Sequence, residues 1–217
     1  MIDLQVRDRG GKEAGTVHCD PADLGGRVRR ALLRQILIGY EANRRAGTHK
    51  SKTRAEVNYS YNKLWSQKGT GNARMSGRAS PLWRHGGTTF GPVPRSYRQR
   101  LPRQMRRGAL RSALLTRVLD GKVYLLTDLA IDPARAKGAT ALLRALAIER
   151  GCLVVTEKDA PEIYRAFRNQ PRVAVRPARE LNAWDVMRYP CLVMARACWE
   201  TLVASLRSAG SGKEAAA

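Results

Sequence analysis

Residues 44–108 carry 16 lysines and arginines against a single acid, Glu56, and no other stretch of the chain limits its fold so severely. The segment also holds glycine at 47, 69, 71, 77, 86, 87, 91 and 108 and proline at 81, 92 and 94. Glycine and proline at that density interrupt both helix and strand, and no apolar residue recurs at either period for more than a turn. More than 50 residues without regular structure lie far outside the ordinary length of a connection in a compact domain. Such a segment is disordered, functional, or ordered by a partner.

Its aromatic residues argue against a plain linker. Tyr59, Tyr61, Trp65, Trp83, Phe90 and Tyr97 are interleaved with the bases, whereas disordered linkers are poor in aromatics. Arginine forks hold phosphates, aromatic faces stack on unpaired bases, and glycine lets a backbone approach closely. The pattern is that of an extended strip threading RNA. The bland alternative is a solvated basic loop. The whole chain points the same way, with a formal charge of +22 and a pI near 11.0. Self-repulsion on that scale calls for a polyanion, either nucleic acid or an acidic membrane surface.

The flanking sequence is orderly. Residues 2–6 and 16–19 alternate apolar and polar and predict an opening hairpin. Val28, Leu32, Ile36 and Tyr40, with Leu33 and Leu37, predict a helix over 28–46. Pro102 opens a second helix over 103–119, with Leu110, Leu114 and Val118 on one side and Gly121 closing it. Arg103, Arg107 and Arg111 fall at i, i+4 and i+8 of that helix, a stripe that reads as a solvated face or as phosphate contacts. Strands are expected at 123–126, 153–156, 173–175 and 191–194, separated by helices at 133–150, 161–168, 183–188 and 197–206. Short apolar strands alternating with helices predict an α/β domain, its mostly parallel sheet flanked by helices.

The expected organisation is therefore a hairpin and first helix over 1–46, a basic segment over 47–101, the rest of the α/β domain over 102–207 and a fraying tail over 208–217. A folded-back strip of that length reaches at most ~80–90 Å at ~3.3 Å per residue. No apolar run suits a bilayer span. The start carries Asp3 and Asp8 instead of a basic and apolar leader. Cys19, Cys152, Cys191 and Cys198 lack paired spacing and read as reduced, mostly buried thiols of a cytoplasmic protein.

Little in the chain suggests catalysis. His18, His49 and His85 stand apart without carboxylates at ligand spacing, so neither metal nor cofactor is expected. Lys68-Gly69-Thr70-Gly71 lacks the preceding strand and following helix of a phosphate loop, and Gly210-Ser211-Gly212-Lys213 lies in the tail. Glu157, Asp159 and Glu162 follow a strand end, where α/β enzymes place sites, but read more simply as a solvated loop and helix start.

Four stretches carry a resemblance. Residues 52–57 (KTRAEV), 65–74 (WSQKGTGNAR), 80–92 (SPLWRHGGTTFGP) and 101–113 (LPRQMRRGALRSA) resemble the signature of bacterial large-subunit ribosomal protein four. The resemblance implies an α/β body on the outside of the large subunit and an extended loop running through rRNA to the wall of the peptide exit tunnel. There it forms a constriction with the protein twenty-two family. It also implies a role in early assembly and no catalytic function. By motif position, Gln67, Lys68, Gly69, Thr70 and Gly71 form the tunnel-proximal tip, and changes matching Lys68 and Gly71 alter macrolide sensitivity in the family. Ser66 and Asn72 stand where the family commonly has arginine, and Leu64 where proline is frequent, so local contacts at the tip are expected to differ.

The expected RNA contacts are Arg44, Arg45, Lys50, Lys52, Arg54, Lys63, Lys68, Arg74, Arg78, Arg84, Arg95, Arg98, Arg100, Arg103, Arg106, Arg107 and Arg111, with Gln67, Gly69, Thr70 and Gly71 of the tip and with Trp65 and Trp83 as stacking residues. Two other classes stay open at this point: an α/β enzyme acting on RNA or nucleotides, and a free-standing RNA chaperone or regulator.

Overall fold

A computed structural model describes residues 1–60, 62–130 and 136–211. It has an α/β architecture with one six-stranded sheet in the order β2-β1-β3-β6-β4-β5. The strands are β1 (Ile2–Arg7), β2 (Glu13–Cys19), β3 (Val123–Leu126), β4 (Cys152–Thr156), β5 (Val173–Pro177) and β6 (Cys191–Ala195). Only the β1–β2 hairpin is antiparallel; β1–β3, β3–β6, β6–β4 and β4–β5 are parallel. The helices are α1 (Arg30–Arg44), α2 (Arg103–Leu119), α3 (Ala136–Ala145), α4 (Pro161–Phe167), α5 (Ala183–Arg188) and α6 (Arg196–Ser211). The fold class expected from the alternating strands and helices is the one observed.

Side chains on successive strand positions leave opposite faces of the sheet, and both faces are covered. Leu153 and Val155 of β4, with Leu192 and Met194 of β6, join α1, α2, α5 and α6 in one apolar cluster. Cys152, Val154 and Val193 point the other way, against Leu142 of α3 and Ala166 and Phe167 of α4. This two-sided burial is why β4 reads CLVVT without a polar break until its end. All four cysteines are free thiols, and burial pushes Cys152 up to about 12 and Cys198 up to about 11.

Several boundaries differ from the periodicity, each for a local reason. α3 stops at Ala145, short of the expected 150, because Ala147 takes a left-handed φ of 53°. Its N–H bonds Arg144 O at 3.0 Å and that of Ile148 bonds Leu143 O at 3.0 Å, a double closure that terminates a helix. The expected residues 133–135 of that helix lie outside the described residues. α6 continues to Ser211, four residues into the expected tail, and 212–217 lie outside the described residues. Two short 3-10 helices, Pro21–Leu24 and Ala178–Glu180, have too few residues to show any period.

Arg117 is the one arginine of α2 in the core, 8% exposed. Its Nε donates to Val186 O at 3.1 Å and its Nη2 to Met187 O at 2.9 Å, satisfying carbonyls at the end of α5. Arg117→Met keeps the aliphatic bulk and leaves both carbonyls unpaired. It is expected to destabilise the fold by about 2–4 kcal/mol. The check is a lower urea midpoint at unchanged m value.

The chain divides into two compact units, Met1–Glu41 with the chain from Gln99 onward, and Ala42–Arg98. Within the first, Gly39 of α1 lies against Leu101, where a Cβ would stand 2.8 Å from Leu101 Cδ2. The points where the chain leaves for the second unit and returns are therefore adjacent.

Candidate nucleic-acid interface

The second unit contains 12 lysines and arginines and one acid. No helix or strand forms among its described residues after α1 ends at Arg44. What orders it is a ladder of backbone hydrogen bonds between two limbs. Arg95 N–H donates to Gly47 O at 3.1 Å, Ser51 N–H to Pro92 O at 3.1 Å, Thr88 N–H to Lys52 O at 2.9 Å and Leu64 N–H to Ser76 O at 3.3 Å. The bonds are too irregularly spaced for a sheet, so the limbs form a ribbon whose rungs differ in kind.

Glycine makes the closest rung possible. Gly87 is the one buried residue among those described in this unit. A Cβ there would lie 2.2 Å from Arg54 N and 2.5 Å from its Cα. Those are backbone atoms, which cannot swing away as a side chain can. A tight turn brings Gly87 there: Trp83 N–H bonds Ser80 O at 3.1 Å, Gly86 N–H bonds Trp83 O at 3.0 Å and Gly87 N–H bonds Ala79 O at 3.0 Å.

Glu56, the lone acid, is used internally. Its carboxylate accepts from Lys50 Nζ at 2.6 Å and from Thr53 N–H at 3.2 Å, while Glu56 N–H returns to Thr53 O at 2.9 Å. The Glu56 side chain thus caps the Thr53 N–H while the backbone bond between the same two residues closes one turn. The hydrogen bond from Lys50, then that from Thr53, holds the carboxyl below the usual glutamate range. Beyond the Lys50–Glu56 pair the unit holds eleven further cations and no second carboxylate in its sequence.

The ribbon reverses between Trp65 and Arg74. Trp65 Nε1 donates to Ala73 O at 3.0 Å across the turn, and its ring meets that of Trp83 edge-on, with centroids 6.5 Å apart. Gly69 and Gly71 adopt φ of 90° and 68°, a backbone region costly for residues with a Cβ. Ser66, in a place where arginine is common in the resembled family, donates its hydroxyl to Lys68 O at 2.9 Å and so shapes the turn. Lys63 Nζ donates to Gln67 Oε1 beside it.

Of the residues expected to contact RNA, Arg44, Arg45, Lys50, Lys52, Arg54, Lys63, Trp65, Gln67, Lys68, Gly69, Thr70, Gly71, Arg74, Arg78, Trp83, Arg84, Arg95 and Arg98 belong to this unit. All are exposed except Trp65, which is half-buried. Arg100, Arg103, Arg106, Arg107 and Arg111 belong to the other unit. The first four are exposed on the approach to α2 and its first turns, whereas Arg111 is half-buried and its guanidinium donates to Leu206 O of α6. The stripe at i, i+4 and i+8 therefore splits, its third member serving helix packing. Sequence reasoning singled out neither Tyr97 nor His49 as a site residue, yet Arg45 and Arg95 stack on the Tyr97 ring and His49 bonds its hydroxyl at 3.2 Å. The signal was present in the alternation of base and aromatic over 95–98.

The acids after β4 are exposed, and Asp159 pairs with Arg179 at 2.6 Å. Among the described residues no three His, Cys, Asp or Glu side chains are grouped to hold a metal ion, and no helix is long and apolar enough to cross a membrane.

A family model described as the ribosomal protein L4/L1 family matches residues 17–205, most of the chain. The chain belongs to that family. It is a structural protein of the large ribosomal subunit, and the resemblance noted over residues 52–113 falls inside the matched span. The match covers both units, so the α/β body and the ribbon are parts of one family protein.

Proposed function

We propose that the chain binds large-subunit rRNA chiefly through residues 42–98, with residues 65–74 lining the peptide exit tunnel beside the protein twenty-two family. The binding helps order rRNA early in subunit assembly in the cytoplasm. The observation that carries the reading is the ribbon itself: a dozen cations with one internally neutralised acid, ordered by backbone rungs and presenting its bases outward. Phosphate contacts supply affinity and position, while shape and stacking on unpaired bases select the RNA. Trp65 and Trp83 are the stacking faces next to the turn. Arg103, Arg106 and Arg107 add phosphate contacts from the first turns of α2. The role requires positioning and charge, and no bond-breaking step.

UV crosslinking of the protein in purified ribosomes tests this. Crosslinked peptides from residues 65–84 are expected on tunnel-wall rRNA. Crosslinks to other RNAs, with none in ribosomes, would overturn the tunnel assignment and make the chain a free-standing RNA chaperone or regulator.

A further inference from the structure

We propose that the ribbon carries a preformed phosphate clamp at its first rung, in which Tyr97 positions Arg45 and Arg95 to grip the RNA backbone. The inference rests on the rRNA-binding reading and assigns Tyr97 a role that charge alone does not suggest.

The clamp is built from both limbs. The guanidinium carbon of Arg45 lies 4.0 Å from the centroid of the Tyr97 ring and that of Arg95 lies 4.5 Å from it. Together with Arg98 they line an open cleft of about 510 Å³. Two cations so close to one ring repel each other, and the only carboxylate in the unit is already bonded to Lys50 at 2.6 Å. A dianionic or repeating monoanionic ligand relieves that repulsion, and the RNA backbone is a repeating monoanion of this kind.

Free arginine side chains lose rotamer freedom when they close on a phosphate. Here the ring has taken that freedom beforehand through cation–π contact. The ring is itself fixed: its hydroxyl bonds His49 Nε2 at 3.2 Å, and the neighbouring Arg95 N–H closes the rung to Gly47 O at 3.1 Å. The cationic field is felt at the phenol, which a hydrogen bond with Arg95 and the charge of Arg45 hold below the usual tyrosine range. Tyr97 is thus a positioning residue acting through two arginines.

The test measures affinity of the full-length protein for a large-subunit rRNA transcript across a salt series. Arg45→Gln with Arg95→Gln is expected to reduce the magnitude of the log–log slope by about 2, one per phosphate contact. Tyr97→Leu removes no charge, yet it is expected to reduce the slope by about 1 to 2 as the arginines lose their support. Tyr97→Phe keeps the ring and is expected to stay close to the wild-type slope. Combining Tyr97→Leu with the two glutamine changes should add nothing to the double variant.

In the free protein the Nε–H resonances of Arg45 and Arg95 are expected to be ring-current shifted, and to lose that shift in Tyr97→Leu but not in Tyr97→Phe. An unchanged slope in Tyr97→Leu overturns the clamp, as do unshifted resonances in the wild type. A further loss in the triple variant overturns it too, since Tyr97 would then contact RNA on its own account. A wild-type slope near zero removes the rRNA reading itself, and so is distinct from failure at Tyr97.

Discussion

Raising monovalent salt from about 50 to about 200 mM is expected to weaken rRNA binding by roughly 10³- to 10⁵-fold, the range for 6–10 phosphate contacts. With about eight of the exposed bases on phosphates, the log–log slope should lie near −6 to −7. The steep dependence is expected because a dozen cations share one acid and that acid is committed to Lys50 and Thr53. Stacking by Trp65 and Trp83 contributes about 1–3 kcal/mol per base and responds little to salt. It should survive as a weak residual affinity once the electrostatic part is screened. Fluorescence anisotropy with a labelled rRNA transcript reads both regimes. A slope near zero would mean that the exposed cations do not reach phosphates.

Gly87→Val should damage RNA binding about as much as removing several charges, although it removes none. The new Cβ would sit 2.2 Å from the Arg54 nitrogen, so the limbs must part between Lys52 and Thr88. Overpacking typically costs about 1–3 kcal/mol. Among its described residues the ribbon has one that is buried, with a handful of rungs, to set against that penalty. The expected result is at least a roughly tenfold loss of affinity, the equivalent of about 1.4 kcal/mol. Fast hydrogen exchange at the Thr88 and Gly87 amides should accompany it, with no change in the thermal unfolding of the α/β unit. Wild-type affinity in this variant would show that contact between the limbs is not needed for binding.

How far these features were legible in the residues depends on the range of the interaction behind each. The β4 run CLVVT announces a strand buried on both faces, because its four apolar positions divide between the clusters on the two sides. The order of strands is a different matter. β6 enters between β3 and β4, and nothing in its own five residues says so, because that choice is made by pairing partners distant in sequence. The expected helix over 133–150 runs past the end of α3 because the stop is an alanine at 147, in a conformation alanine seldom adopts, which periodicity does not mark. Arg111 shares a helical row with Arg103 and Arg107, but periodicity cannot reveal that α6 crosses its end of the row. Within the ribbon, charge and glycine content marked the segment and motif position placed the turn at residues 67–71. The pairing of Gly87 with Arg54, and of Tyr97 with Arg45, joins positions tens of residues apart. Such pairings appear only when both limbs are in place.

The central slot taken by β6 has a consequence for the order of events during synthesis. As the chain emerges from its N-terminus, β1, β2 and β3 can assemble, and β4 can pair with β5, but the two groups have no shared edge until β6 arrives. The last strand made is therefore the keystone of the sheet. The cationic unit, by contrast, runs from the last residues of α1 to just before α2 and is finished while more than a hundred residues remain to be added. The cationic segment is thus synthesised well before β6, the strand that joins the two halves of the sheet, is available to pair.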